Sequence, residues 1–186
     1  MSPLPDLPEL SIITVNYRSS GVLGACLRSI ERSRTTVPYE VLVVDNATWD
    51  EGMDRLEKEW PRVRFVRLQE NRGFGGGNNA GIEKARGKAL LFLNPDTEVG
   101  ADTLQILYDR LMGDPHAGMA GPKIFYADGS LQTRYLPKKM PTVFDFFCEI
   151  TYLEKLFSGS AFFDAYHRAR FACDREQELG QLSGAC

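Results

Sequence analysis

The sequence predicts an α/β domain on an open, mainly parallel twisted sheet flanked by helices. Three observations carry that prediction. Nearly unbroken apolar runs recur at residues 10–17, 39–45 and 89–93, the first of them β-branched, as expected of strands covered on both faces. The stretches between them place apolar residues at helical spacing. Strand-like and helix-like segments alternate in the short rhythm of parallel βα units with crossover helices.

The elements follow in order. Residues 1–8, with prolines at 3, 5 and 8, make a leader that fits neither strand nor helix. After the first strand (10–17), Ser19 and Ser20 offer caps for a helix bearing Val22, Leu23, Cys26, Leu27 and Ile30. Pro38 breaks that pattern, and the second strand spans 39–45. Asp50 is placed to cap a helix through Met53, Leu56 and Trp60, stopped by Pro61. Residues 63–68 alternate as a third strand, and a glycine-rich stretch leads to a helix from about 77 to 86, ended at Gly87. The fourth strand is 89–93, and a helix over 102–112 carries Leu104, Leu107, Tyr108 and Leu111 on one stripe. Beyond Pro115 short strands are expected at 117–122 and 123–126, then an Asp128-Gly129 hairpin turn into 131–135. A basic loop spans 137–141 with Lys138-Lys139. Residues 143–157 are aromatic and poor in charge, as in a core helix, a cover for an acceptor, or an interfacial segment touching a membrane. Residues 162–171 form another helix candidate.

Composition narrows the class. The 186 residues are 43% hydrophobic, 25% charged and 11% aromatic, as in an ordinary globular protein with a core that needs neither disulfide nor metal. Disorder, collagen-like and disulfide-framework classes are excluded. With 22 Lys+Arg against 25 Asp+Glu the net charge is −3, so there is no basic footprint and no nucleic-acid partner is expected. Cys26, Cys148, Cys173 and Cys186 form no CxxC pair and read as thiols in a reducing compartment. His116 and His167 read as surface residues. The leader lacks the basic and apolar regions of a secretory signal, and no uncharged apolar run reaches 18 residues, so a cytoplasmic location is expected.

In an open parallel sheet, ligands bind outside the carboxyl ends of the strands. The first strand ends at Asn16-Tyr17, the second at Asp45-Asn46, the third leads to Glu70-Asn71-Arg72-Gly73, and the fourth to Asn94-Pro95-Asp96. Each alone has an ordinary use: Asp45-Asn46 as a cap or turn, Asn94-Pro95-Asp96 as an Asx-Pro turn. Four such termini at one edge point to a ligand site. The run from Gly73 to Gly81 lets a backbone come close and offers helix-start amides to an anion. It lacks GxGxxG spacing, and no lysine stands in a P-loop position. Asp96, with an amide two residues earlier, is a candidate ligand for Mg²⁺ or Mn²⁺, which need few protein carboxylates when substrate phosphates complete the shell. Glu98 is a nearby second acid.

In this order and spacing, Ile12-Ile13-Thr14-Val15-Asn16-Tyr17, Val43-Val44-Asp45-Asn46, Asn71-Arg72-Gly73-Phe74-Gly75 and Leu93-Asn94-Pro95-Asp96 resemble family 2 glycosyltransferases, in particular their bacterial rhamnosyltransferase-like branch. Leu182-Ser183-Gly184-Ala185-Cys186 resembles, more weakly, the family's Ser-Gly-Ala strand beside the acceptor. The resemblance implies the GT-A fold, which is Rossmann-like. It also implies transfer of a sugar from a UDP- or dTDP-sugar to a glycan or lipid-linked acceptor hydroxyl, metal-assisted and inverting, in polysaccharide biosynthesis. The implied nucleotide-binding residues are Val15, Asn16, Tyr17, Asp45, Arg72, Gly73, Asn78 and Asn94. Of these, Asp45 would accept the base N3–H, Arg72 would pack on the base or reach the diphosphate, and Asn94 would face the ribose. Asp96 would ligate the Mg²⁺ or Mn²⁺. Asn94 replaces the first acid of the family's Asp-x-Asp, so metal affinity without nucleotide should be weak. The implied organisation is a flexible leader (1–9), a donor-binding core (10–126) and the start of an acceptor-side part (127–186). The catalytic base is expected after Cys186, so the chain is expected to bind donor with negligible transfer. A non-catalytic nucleotide-sugar binding module is the alternative. A sugar nucleotidyltransferase fits less well, because Arg18-Ser19-Ser20-Gly21 is a poor match for its glycine-rich loop.

Overall fold

Strand β1 (Leu10–Asn16) is buried at every position, and β2 (Tyr39–Asp45) at every position but Tyr39, in the computed structural model, which describes residues 7–48, 51–132, 142–157 and 160. Strands this apolar on both faces require cover on both. β1 pairs in parallel with β2 from Leu10↔Tyr39 to Asn16↔Asp45, and with β4 (Ala89–Phe92) from Leu10↔Ala89 to Ile13↔Phe92. β3 (Arg64–Arg67) extends the sheet beyond β2, giving the order β3-β2-β1-β4. All carboxyl ends therefore share one edge, and the chain order reverses between β1 and β4, where such sheets open a crevice.

Helices α1 (Ser20–Glu31), α2 (Glu51–Glu59) and α4 (Thr103–Gly113) supply Leu23, Leu27, Ile30, Met53, Leu56 and Leu104 to a layer over Leu10, Ile12, Val41 and Val43. On the opposite face Ala80 of α3 (Gly73–Ile82) joins Ile13, Val15, Leu42, Val44 and Leu68. Each fully buried aliphatic side chain stabilises the fold by about 1.5–3 kcal/mol. The alternation along β1, with Ile12 on one side and Ile13 on the other, assigns a helix layer to each face.

Helix α3 departs from the sequence expectation. It begins four residues earlier than residue 77 and closes at Ile82, so the glycine-rich stretch is helix. Gly73 makes the entry turn at φ +68°, a left-handed conformation glycine adopts without penalty. Helix propensity alone disfavours this run by up to ~1 kcal/mol per glycine, and packing reverses the outcome. A Cβ on Gly77 would stand 2.6 Å from Val15 Cγ1, and one on Gly81 2.5 Å from Ile13 Cγ2. The two glycines, one turn apart, let α3 lie directly on β1. Gly77→Ala and Gly81→Ala are each expected to destabilise by about 1–3 kcal/mol through overpacking. Gly75→Ala, which meets no atom within 4 Å, is expected to stabilise by roughly 0.5–1 kcal/mol. Thermal denaturation distinguishes them, and equal effects at all three positions would refute the close approach.

The caps differ too. Ser19 is the N-cap of α1, but its hydroxyl donates back to the Tyr17 carbonyl (3.1 Å) and makes no cap bond. Asp102 precedes α4 without capping it, because both its oxygens are taken by Arg34 at 3.0 and 2.6 Å.

The chain divides into two compact units, one running to Ala120 and the other starting at Gly121. In the second, the Asp128-Gly129 turn forms as expected: Phe125 and Leu131 make an antiparallel bridge, and Gly129 sits at φ +83°. The short strands expected over 117–126 do not form; residues 117–122, interrupted by Gly118, Gly121 and Pro122, pair with no strand. Helix α5 (Val143–Ile150) opens with a reciprocal capping box between Thr142 and Asp145, followed by α6 (Leu153–Leu156). Against the core-helix expectation, Val143, Phe146, Phe147 and Ile150 are 52–88% exposed along one stripe, while Cys148 is buried. Among the described residues no helix is long and apolar enough to cross a membrane. Residues 1–6 of the leader, Asp50, the 137–141 loop, the 162–171 helix, His167, Cys173 and residues 182–186 lie outside the described residues.

Candidate functional site

The carboxyl edge of the sheet gathers the strand-terminal polar residues. Asn16 and Asp45 are the last paired residues of the β1–β2 ladder, and both are essentially inaccessible, at 0% and 1% exposure. Asn16 Oδ1 accepts from the Ser19 amide (3.2 Å), and its Nδ2 donates to Thr48 Oγ1 (3.3 Å) and faces Met53 Sδ (3.1 Å). Asp45 Oδ1 accepts from the Thr48 amide at 3.1 Å. The Tyr17 ring that follows Asn16 is exposed, with the Arg18 guanidinium 5.3 Å from its centroid.

Asn46 organises the next loop. Its Nδ2 donates to Asn71 Oδ1 (2.8 Å) and the Gly73 carbonyl (3.2 Å), and its Oδ1 accepts from the Arg72 amide (2.9 Å). Asn71 Oδ1 also takes the Gly73 amide at 2.8 Å. This buried amide thus binds the turn that launches α3, leaving the Arg72 side chain exposed at the edge with Glu70 3.6 Å away. Asn78 lies within α3, buried, its Nδ2 bonded back to the Phe74 carbonyl at 3.1 Å.

After β4 the chain turns over Asn94-Pro95-Asp96, closed by the Thr97 amide on the Asn94 carbonyl at 3.1 Å. Helix α1 braces this loop from below. Cys26 Sγ donates to the Asn94 carbonyl (3.8 Å), and Ser29 Oγ accepts from the Val99 amide (3.0 Å) while donating to the Cys26 carbonyl (2.7 Å). Burial pushes the Cys26 thiol up to about 12, and the charges of Asp96 and Glu98 raise it further. A thiol this hard to ionise is no nucleophile. Asp96 and Glu98 are both exposed.

No cluster of three or more His, Cys, Asp and Glu side chains able to hold a metal occurs among the described residues. The 94–98 loop offers two exposed carboxylates, Asp96 and Glu98, fewer than a cation site built from protein ligands alone would need.

The fold thus brings Asn16, Tyr17, Asp45, Arg72, Gly73, Asn94 and Asp96 to one edge. Val15 is turned into the layer beneath α3, with its Cγ1 against Gly77, and Asn78 is buried within that helix. Three participants went unnoticed in the sequence: Thr48, Ser29 and the Cys26 thiol. Thr48, three residues after Asp45, stands at Asx-turn reach, and Ser29 lies one turn after Cys26 on the α1 face below the loop.

The model of glycosyl transferase family 2 matches residues 11–173, and the chain belongs to that family. Among its relatives, the succinoglycan biosynthesis protein ExoO of Rhizobium meliloti is 34% identical over 107 residues, covering 56% of this chain and 30% of that protein. The N-acetylglucosaminyl-diphospho-decaprenol L-rhamnosyltransferase of Mycobacterium tuberculosis is 27% identical over 188 residues, covering 95% of this chain and 60% of that enzyme. The solved structure of S. aureus TarS 1–349 in complex with UDP-GlcNAc superposes with a TM-score of 0.52 at 20% identity, over 73% of this chain and 40% of that one. That likeness establishes the GT-A architecture. The chain spans 60% or less of the length of these curated relatives.

Proposed function

We propose that the carboxyl edge binds a nucleotide-diphosphate sugar, UDP- or dTDP-linked, and that the family's transfer reaction carries its hexosyl or rhamnosyl group to a glycan or lipid-linked acceptor hydroxyl. The observation that supports this best is the convergence of four parallel strand ends on one edge, with Asp45 the buried acid among them. Asp45 accepts the N3–H of uracil or thymine. Tyr17 supplies a ring face and Val15 and Asn16 the backbone floor. Asn94 faces the ribose, and Arg72 reaches the diphosphate beside Gly73, with Asn78 behind the turn. Asp96 would hold Mg²⁺ or Mn²⁺, which when bound offsets the charge that the leaving diphosphate gains. In the transfer the acceptor oxygen bonds to the anomeric carbon as the bond to the diphosphate oxygen breaks, with inversion. The acceptor-side part begins after residue 126, and the exposed apolar stripe of α5 supports peripheral contact with a membrane on its cytoplasmic side when the acceptor is lipid-linked.

The test is a thermal-shift panel of UDP-, dTDP- and GDP-sugars with and without Mn²⁺. A ligand at about 100 times its Kd adds about 2.7 kcal/mol, or about 5–10 °C for a chain of this size. The uracil and thymine nucleotides with Mn²⁺ are expected to give that shift and the guanine nucleotide a much smaller one. Absence of a shift with every nucleotide would overturn the donor site.

A further inference from the structure

We infer that Thr48 is a positioning residue that sets nucleobase selectivity, by locking the loop after β1 to the loop after β2. This rests on the reading of Asp45 as the acceptor for a base N3–H. Thr48 makes three bonds that no neighbour duplicates. Its Oγ1 accepts from the Arg18 amide (3.1 Å) and from Asn16 Nδ2 (3.3 Å), and its own amide donates to Asp45 Oδ1 (3.1 Å). The residues it joins are the last pair of the β1–β2 ladder, Asn16↔Asp45, together with the residue that follows Tyr17.

Both loops are held in conformations that side chains disfavour. Arg18 has φ +56° and Ala47 φ +60°, left-handed in each case, and neither is glycine or asparagine. Non-glycine residues persist there only where surrounding bonds over-determine them, and such strain gathers at binding sites. Here the over-determining bonds converge on Thr48. Its hydroxyl holds Arg18, and its amide makes an Asx-type bond across Ala47. Tyr17, whose ring is exposed, lies in the chain between Asn16 and Arg18, both of which bond to Thr48 Oγ1.

The chemistry follows from the geometry. Uracil and thymine present N3–H as a donor to a carboxylate, whereas cytosine presents N3 as an acceptor that a carboxylate repels. Discrimination needs the Asp45 oxygen in the plane of a base whose face rests on Tyr17. Loss of the Thr48 hydroxyl takes the acceptor from the Arg18 amide, leaves Asn16 Nδ2 only the weak Met53 Sδ, and lets Arg18 relax. Tyr17 and Asp45 then no longer share a fixed frame. The carboxylate keeps its charge but loses its aim.

The experiment titrates UDP and CDP, each with Mn²⁺, into the whole chain and into Thr48→Val, Thr48→Ser and Asp45→Asn. Wild type is expected to prefer UDP by at least about 10-fold, since a site built around a hydrogen bond rejects the ligand lacking the donor. Thr48→Val, isosteric but without the hydroxyl, is expected to weaken UDP about 10-fold and leave CDP within about 2-fold. Thr48→Ser restores the wild-type ratio, and Asp45→Asn abolishes the preference outright. Where valine disturbs folding, as judged by melting without nucleotide, Thr48→Ala carries the same test. A Thr48→Val or Thr48→Ala protein that keeps the wild-type ratio overturns the role of Thr48. Wild type without preference between UDP and CDP overturns the assignment of Asp45, and with it this inference.

Discussion

Asp96→Ala removes the Mn²⁺-dependent part of UDP stabilisation and leaves the metal-independent part intact. The side chain is exposed on the 94–97 turn, and the backbone around it is braced by Cys26 and Ser29 from α1. Its removal should therefore change the stability of the free protein by no more than about 0.5 kcal/mol. Binding is another matter. In the proposed site Asp96 and the substrate's own oxygens would hold the cation. Loss of that carboxylate is expected to weaken UDP binding in Mn²⁺ by about 100-fold, equivalent to ~2.7 kcal/mol, and to erase a melting shift of about 5–10 °C. Glu98→Ala, two residues on, is expected to have a smaller effect. If Asp96→Ala keeps the full Mn²⁺ response while Glu98→Ala loses it, the metal belongs to Glu98.

The largest effect on stability is expected at the opposite edge of the sheet. Glu40 of β2 is 8% exposed and receives Ser11 Oγ at 2.8 Å, the Arg86 amide at 2.7 Å, Arg86 Nε and Nη2 at 3.1 and 2.9 Å, and Arg64 Nη1 at 2.7 Å. Burial pushes its carboxyl up, but the bonds from Arg64, Arg86 and Ser11 outweigh it and bring it from 4.5 down to about 2. Because the folded value is the lower one, the stabilisation is fully present above pH ~4.5 and is lost as pH falls from there through ~2. The Arg64 and Arg86 side chains are 40% and 54% exposed, so solvent screening reduces the charge contribution to about 1–2 kcal/mol. Glu40→Gln is expected to cost that amount at pH 7 and to flatten the acid limb between pH 4.5 and 2. Glu40→Ala also strands the Ser11 hydroxyl proton and leaves the Arg86 amide only its longer bond to Ser11 Oγ (3.2 Å), for about 3 kcal/mol and a melting point lower by about 6–12 °C. Urea unfolding at pH 7, 4 and 3 measures both. A Glu40→Gln protein whose stability falls with acid as steeply as wild type would refute the account.

The strands were legible because burial on both faces demands an unbroken apolar run. The β2 span agrees at both ends with the sequence reading, and β1, β3 and β4 are shorter by a residue or two where the ladder gives way to loops. The start of α3 was not legible. Glycine propensity argues against a helix at Gly73, and the compensating contact of Gly77 with Val15 joins residues 62 positions apart. The aromatic content of residues 143–157 fitted a core helix, an acceptor cover or an interfacial segment alike, and only the fold shows Val143, Phe146, Phe147 and Ile150 exposed.

For the proposed site, residue identity and position at strand ends singled out Asp45, Arg72, Asn94 and Asp96 as candidates, and the parallel sheet sends its carboxyl ends to the same edge. The bracing was not legible. Thr48 between Asn16 and Arg18, Ser29 beneath Val99, and Asn46 across to Asn71 are hydrogen bonds between loops distant in sequence. The sequence by itself determined the family, the sheet and the edge at which its strand-terminal polar residues gather, because hydrophobic period and strand-terminal residues are local properties. Only the tertiary structure decided how that edge is held. A hydroxyl or amide finds its partner across tens of residues, and no local pattern records which acceptor the folded chain will bring within 3 Å.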